Sequence, residues 1–379
     1  MVSSDGPAVG DAMRGNVERT VFGRFENGTE IEAFVLSDGA GGSASVLTYG
    51  ARLHSLVVPD RTGALANVVG GYASLAEYER DPHYMGATIG RFANRLRDGR
   101  FEIDGAVHRA APNEGSKTLH GGPHGFDRAV WRFVRASASS HPTVVLAHTS
   151  PDGDQGFPGE VSVEVAFALR QGGRLSIEYA ATTNVPTIVN LTHHAYWNLH
   201  GADMSSDASD HRIMIPSDRY VPVDEDMLPT GERLSVEGSP FEFRTKRCIG
   251  DDIDDPNDRQ IAIAHGYDHS WLIGEGARGL RNVALLESSR TGRRLEVWSD
   301  QSAIHLYSGN FLGEAGAGRK PMASRSLIAL EAQNVPDAPN LPWAEDCILR
   351  PGETYRSTII YQLGVAPDNA NCADASSAR

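Results

Sequence analysis

A chain of 379 residues with 40% hydrophobic and 22% charged side chains has ordinary globular composition, which excludes wholesale disorder and fibrous repeats. Its 35 Lys and Arg against 49 Asp and Glu leave a net charge of −14, so neither nucleic acid nor an anionic membrane is an expected partner. No apolar run reaches about 18 residues and the opening MVSSDGPAVGDAMRGNVERT lacks the apolar stretch of a signal peptide, so a soluble, cytoplasmic protein is expected.

In chain order, residues 1–18 are rich in small and polar side chains and are expected to form a flexible tail, as are residues 366–379. Residues 19–365 contain no comparable linker and are read as one domain. SLAEYER (74–80) has the period of two helical turns. FEIDGAVHR (101–109) places Asp-Gly at the centre of a hairpin, where positive φ is needed. EVSVEVAFAL (160–169), RLSIEYAATT (174–183), RRLEVWS (293–299), SAIHLYS (302–308) and YRSTIIYQL (355–363) alternate apolar and polar residues as strands do. Roughly fifteen or more such strands with very little helix predict an all-β fold, a large β-sandwich. The polar stretches 110–127, 200–210, 216–240 and 250–268 are too long for tight turns and are candidate site-building loops.

Cys248, Cys347 and Cys372 are widely spaced, which suits unpaired thiols rather than a disulfide framework or a metal cage. The three lysines, Lys117, Lys246 and Lys320, lie in polar loop-like stretches, which disfavours Schiff-base chemistry. No GxxxxGK[ST], no strand-linked GxGxxG with a following helix, no HExxH and no GxSxG occurs, so nucleotide use and serine-hydrolase chemistry lose support.

NLTHHAYWNL (190–199), read as one extended strand, puts Asn190, Thr192, His194, Tyr196 and Asn198 on a face made wholly of hydrogen-bonding groups. That face is expected to line water or a ligand, with His194 as the functional histidine and Tyr196 beside it. LIALEAQNVPDAPN (327–340) ends an apolar run on Glu331, a potential base if burial lifts its pKa, although a strand-end glutamate in a plain salt bridge reads the same. TLHGGPHGFDRAVW (118–131) sets His120 before two glycines, which lets backbone approach a ligand. His124 follows four residues later, but GGP between them argues against the helix that a metal pair at this spacing needs. GRFANRL offers Asn94 and Arg95, and GYDHSWLI offers Asp268 and His269.

Taken in order, GRFANR, LHGGPHGFDRAVW, NLTHHAYWNL, DEDMLPTGE, GYDHSWLI, YSGNFL and LEAQNVPDAPN…LRPGETY resemble the aldose 1-epimerase (galactose mutarotase) family over about residues 20 to 365. The resemblance implies a galactose mutarotase-like supersandwich and an isomerase that interconverts the α and β anomers of a free aldose. It places the general base on Glu331, the general acid on His194 and a second active-site histidine on His120. Asn94, Arg95 and Asp268 match residues that hold sugar hydroxyls, and Tyr196 and His305 are counted with the substrate contacts. No cofactor and no metal are implied; the partner is a small-molecule sugar, and the protein is expected as a monomer or homodimer.

Three positions depart from the family pattern: His193 stands where asparagine is common, Trp197 where phenylalanine is, and His305 where many members have a sugar-contacting glutamine. The last leaves the identity of the sugar open. Rival readings are a relative recruited to a sugar phosphate or another hemiacetal, with Arg91 or Arg97 facing the pocket, and a non-catalytic carbohydrate-binding protein. A metal-dependent hydrolase, suggested by the 14 histidines, lacks a compact ligand motif.

Overall fold

The computed structural model describes residues 15–274, 279–314 and 322–366. Lys320, Cys372 and most of both expected tails lie outside the described residues. The first strand, Asn16–Arg24, begins inside the segment expected to be a tail, where it pairs with Glu30–Ser37.

Alternation builds the sheets. In Val161–Arg170, Val161, Val163, Val165, Phe167 and Leu169 are buried while Ser162 and Glu164 are exposed, because successive strand side chains point to opposite faces. This strand belongs to a nine-stranded antiparallel sheet in the order Arg132–Ser137, Thr143–Ser150, Val161–Arg170, Arg174–Thr183, Tyr355–Val365, Arg293–Ser299, Arg281–Glu287, Arg212–Met214, Arg247–Cys248. A six-stranded antiparallel sheet has the order Tyr196–Trp197, Ile328–Gln333, Ala303–Tyr307, Asp268–Leu272, Arg219–Val221, Leu234–Ser235. Phe167, Ile177, Val297 and Tyr361 of the first and Trp271, Ile304, Leu306 and Leu330 of the second belong to one apolar core, so the sheets pack face to face as the sandwich expectation requires. A five-stranded meander over Asn16–Asn67 adds Phe34, Val46 and Leu56 to that core.

Helix among the described residues is confined to Leu75–Glu79, within the expected 74–80, and Arg259–Ala264 apart from short 3-10 turns. The second helix was not legible from periodicity. Its start is set by Asp258, whose carboxylate accepts the N–H groups of Gln260 and Ile261. The Asp104–Gly105 hairpin forms as expected, with φ of 52° and 82°, between Arg100–Ile103 and Ala106–Arg109.

The segment 190–199 is not the single strand expected. Thr192–His193 pairs with Thr88–Ile89 and Tyr196–Trp197 with Ile328 and Ala329, and all ten residues are buried. Three of the five polar side chains serve the backbone instead of a ligand. Asn190 accepts the Asn334 N–H at 2.9 Å, Thr192 donates to the Ala332 carbonyl at 2.8 Å, and Asn198 donates to the Ser326 carbonyl at 3.0 Å. Buried backbone groups must be paired, and here side chains do what a longer strand would have done. Of that face, His194 and Tyr196 line the cavity described below, and Asn190 borders a separate one beside Cys347 and Tyr355.

Candidate active site

The six-stranded sheet supplies the floor of the site. Directly paired residues on antiparallel strands share a face, so the register Ser270↔His305↔Glu331, with Asp268↔Tyr307 and Ala329↔Tyr196 one row away, gathers these side chains on one surface. The alternate residues Trp271, Ile304, Leu306, Leu330 and Ala332 turn into the core. The outward surface opens on a cavity of about 560 Å³, within the range of small-molecule sites.

Two loops wall it. His194 lies between the two short strands, its backbone N–H donating to the Ala87 carbonyl at 2.8 Å and its carbonyl accepting the Gly86 N–H at 3.0 Å. His120 is held against Asn94: its N–H donates to the Asn94 carbonyl, and the Asn94 N–H donates to His120 Nδ1, both at 3.1 Å. Gly121 follows at φ 89°, where a Cβ would stand 2.0 Å from the Gly90 carbonyl oxygen, so the glycine is required for this approach. Tyr84, Asn94 and His120, all lining the cavity, have φ of 56°, 65° and 52°, a concentration of strained backbone at one site.

All eight residues singled out from sequence, Asn94, Arg95, His120, His194, Tyr196, Asp268, His305 and Glu331, line this one cavity. His194 Nε2 is 3.5 Å from Glu331 Oε1. Arg95 grips Glu114 with Nε at 2.8 Å and Nη2 at 3.1 Å and points Nη1 at Asp268 Oδ2, 3.6 Å away. His305 lines the cavity, but both of its ring nitrogens are engaged: Nε2 with Asp268 Oδ1 at 2.6 Å and Nδ1 with Ser270 Oγ at 2.9 Å. Sequence reasoning missed Tyr84, Glu114, Met227, Ile263, Tyr307 and Phe311. Glu114, Met227 and Ile263 lie in candidate loops, and Met227, Tyr307 and Phe311 in the motifs quoted for the resemblance, but none was singled out by its residue type. Of the four candidate loops, 110–127, 216–240 and 250–268 contribute lining residues, whereas 200–210 contributes none.

Burial sets the protonation of the pair. It pushes the Glu331 carboxyl well above its usual value, with the Asp268 charge adding to the rise and Arg95 opposing it. Burial drives the His194 imidazole down to about 3, and holds His120 well below its usual range with help from the neighbouring charges of His194 and Arg95. For Asp268, burial acts the other way but is outweighed by Arg95 and His305, which keep its carboxyl well below the usual range. The surroundings of the pair thus favour a protonated Glu331 beside a neutral His194. His194 is flanked by aromatic rings, Tyr196 at 4.8 Å and Tyr84 at 6.1 Å between centroids.

His120, His194 and Glu331 offer ligand atoms within 4.8 Å of one another, yet they fit a cation poorly. Since His120 Nδ1 accepts the Asn94 N–H, the neutral ring carries its proton on Nε2, the atom facing the cavity. A metal-binding histidine needs the opposite polarity, with the far nitrogen donating. In a second cluster, of His200, Asp210 and His211, His211 uses Nδ1 toward the Ala208 carbonyl at 2.8 Å and Nε2 to accept the Leu199 N–H at 2.9 Å, leaving no free lone pair. Neither arginine considered for a phosphate lines the cavity. Arg91 is spent on Ser150, Pro151 and Pro158, and Arg97 on Asp224 and Pro229. With Glu114 and Asp268 against Arg95 and Glu331 held protonated, the lining has no surplus of positive charge for a phosphate.

The family model for aldose 1-epimerase matches residues 32–362. The aldose 1-epimerase of Escherichia coli strain K12 is 37% identical over 341 residues, covering 89% of this chain and 96% of that one. The human galactose mutarotase is 36% identical over 354 residues, covering 93% and 99%. The crystal structure of galactose 1-epimerase from Lactobacillus acidophilus superposes with a TM-score of 0.80 at 29% identity, covering 93% of this chain and 99% of its own.

Proposed function

Because the chain belongs to the aldose 1-epimerase family, an isomerase family, we propose that Glu331 and His194 are the proton-transfer pair with which it interconverts the α and β anomers of a free aldose. The observation that carries the assignment is the convergence of these two side chains, 3.5 Å apart, on the floor of one cavity. Glu331 takes the proton of the anomeric hydroxyl as His194, in its imidazolium form, gives one to the ring oxygen, and the C1–O5 bond opens. Rotation about C1–C2 turns the aldehyde over, and the same two groups run the transfers backwards to close the other anomer. The residues need no cofactor for this.

The reaction conserves one proton on the pair. Carboxylate plus imidazolium, matched to the closed sugar, becomes carboxylic acid plus neutral imidazole, matched to the open aldehyde. Burial favours the second arrangement, so the cavity is tuned to the intermediate, and the difference between the two states shrinks as substrate hydroxyls solvate the pair. His120 Nε2–H, Arg95, Asn94 and Asp268 hold the sugar's other hydroxyls, with Tyr196 lining one side. Cys347 is a free thiol, which fits a cytoplasmic setting.

Optical rotation of freshly dissolved α-D-galactose or α-D-glucose tests the reading directly. The protein accelerates the drift to equilibrium, and Glu331→Gln or His194→Ala each lose on the order of 10²–10⁴-fold. A folded His194→Ala protein that retains the full rate removes the assignment.

A further inference from the structure

We infer that His305 is a positioning residue, which fixes the carboxylate of Asp268 for the sugar instead of binding the sugar itself. The inference rests on the proposed use of this cavity for anomer exchange. An imidazole has two hydrogen-bonding atoms, and both are spent on protein here. Nε2 meets Asp268 Oδ1 at 2.6 Å, and Nδ1 meets Ser270 Oγ at 2.9 Å, with His305 only 3% exposed. This holds in either charge state, because the Ser270 hydroxyl accepts as readily as it donates.

The bonds are consequences of register. Ser270, His305 and Glu331 are cross-strand neighbours in one row, and Asp268 lies two residues before Ser270 on the same face. The imidazole therefore stands between the proposed base and the carboxylate that raises it. With Oδ1 pinned, Asp268 has Oδ2 left over, turned toward Arg95 Nη1 at 3.6 Å. Arg95 is itself anchored by two bonds to Glu114. Ser270, His305, Asp268, Arg95 and Glu114 thus form a continuous rail from the sheet floor to the loop wall, and a sugar hydroxyl placed at Oδ2 meets an acceptor that cannot swing away. A misplacement of about 1 Å at such a contact is expensive.

The test is a mutant cycle read by two measurements, the Kd for galactose from an NMR titration and the kcat and KM of anomer exchange. His305→Ala is expected to raise Kd and KM by about tenfold with a smaller change in kcat, as loss of uniform binding does. In an Asp268→Ala background the same change is expected to have less than about a twofold effect, since no carboxylate remains to be positioned. His305→Gln, whose amide can donate to Asp268 and accept from Ser270, should recover most of the loss, and only while Asp268 is present. Independent, multiplicative losses in the double variant would mean that His305 touches the sugar, and would overturn the inference. If His305→Ala does not fold, Ser270→Ala replaces it in the same cycle, expected to weaken binding only while Asp268 is present. Glu331→Gln separates the two claims: full activity in that variant defeats the acid/base assignment, while the His305–Asp268 coupling is still read from Kd alone.

Discussion

His194 Nε2 and Glu331 Oε1 stand 3.5 Å apart in the floor of the cavity, and among the described residues neither His194 Nδ1 nor Glu331 Oε2 has a hydrogen-bond partner. Unpaired buried polar atoms are costly in a structural role and useful in a catalytic one, since they are available to a substrate. The pair is built from residues far apart in the chain, brought together by the Tyr196–Trp197 pairing with Ile328 and Ala329.

The proton inventory has a pH signature. His194 gains its proton only as pH falls toward about 3, and Glu331 loses its proton only as pH rises through its raised value, so between these limits the free enzyme holds one proton on the pair. The pH dependence of kcat/KM is therefore expected to fall on the alkaline side as Glu331 ionises, above the usual carboxylate range. A profile with no alkaline limb, or a limb that persists unchanged in the residual activity of Glu331→Gln, would end this scheme.

His193 tests burial without function. It is fully buried beside Phe167 and Tyr361, neither ring nitrogen has a hydrogen-bond partner among the described residues, and burial lowers its pKa from 6.5 to about 3. A depressed histidine contributes stability that is fully present above 6.5 and is lost as pH falls toward 3. His193→Leu is expected to stabilise the fold by about 1–3 kcal/mol near neutrality and by about 2 kcal/mol more at roughly pH 5. Urea unfolding at the two pH values measures the difference; a gap that does not widen in acid contradicts the account.

Asp81 holds the segment that carries Tyr84. Its buried carboxylate accepts from Arg52 Nη1 at 2.9 Å, the Tyr72 hydroxyl at 3.0 Å, and the N–H groups of His83 and Met85 at 2.9 and 2.6 Å. Asp81→Asn leaves the buried Arg52 charge uncompensated and is expected to cost about 3–5 kcal/mol. Because Tyr84 packs against His120 at 4.6 Å between ring centroids, KM should rise in the protein that still folds. Thermal unfolding and polarimetry on the same sample decide it, and an unchanged melting temperature counts against the buried pair.

The polarity of the Asn94–His120 contact predicts indifference to metal. Recruiting His120 to a cation through Nε2 costs the Asn94 hydrogen bond, so dialysis against a chelator is expected to leave mutarotase activity unaltered. Loss of activity that zinc restores would show that the ring has flipped to the other tautomer.

Much of this was written in short-range pattern. Alternation in Val161–Arg170 and the Asp104–Gly105 turn are local consequences of strand pleat and positive φ, so the sequence announced them. The candidate site residues were legible because their types are unusual in their settings, a glutamate closing an apolar run and a histidine before two glycines, although Glu331 lies inside the strand Ile328–Gln333 and not at the strand end expected. Tertiary structure alone decided which polar side chains of residues 190–199 face the cavity. Asn190, Thr192 and Asn198 turn to backbone groups of distant segments, a demand that no strand pattern encodes. It also decided that the His305 ring is spent on Asp268 and Ser270, since cross-strand register depends on how three separate strands align, and that the pair's proton rests on Glu331, since desolvation is a property of the assembled interior.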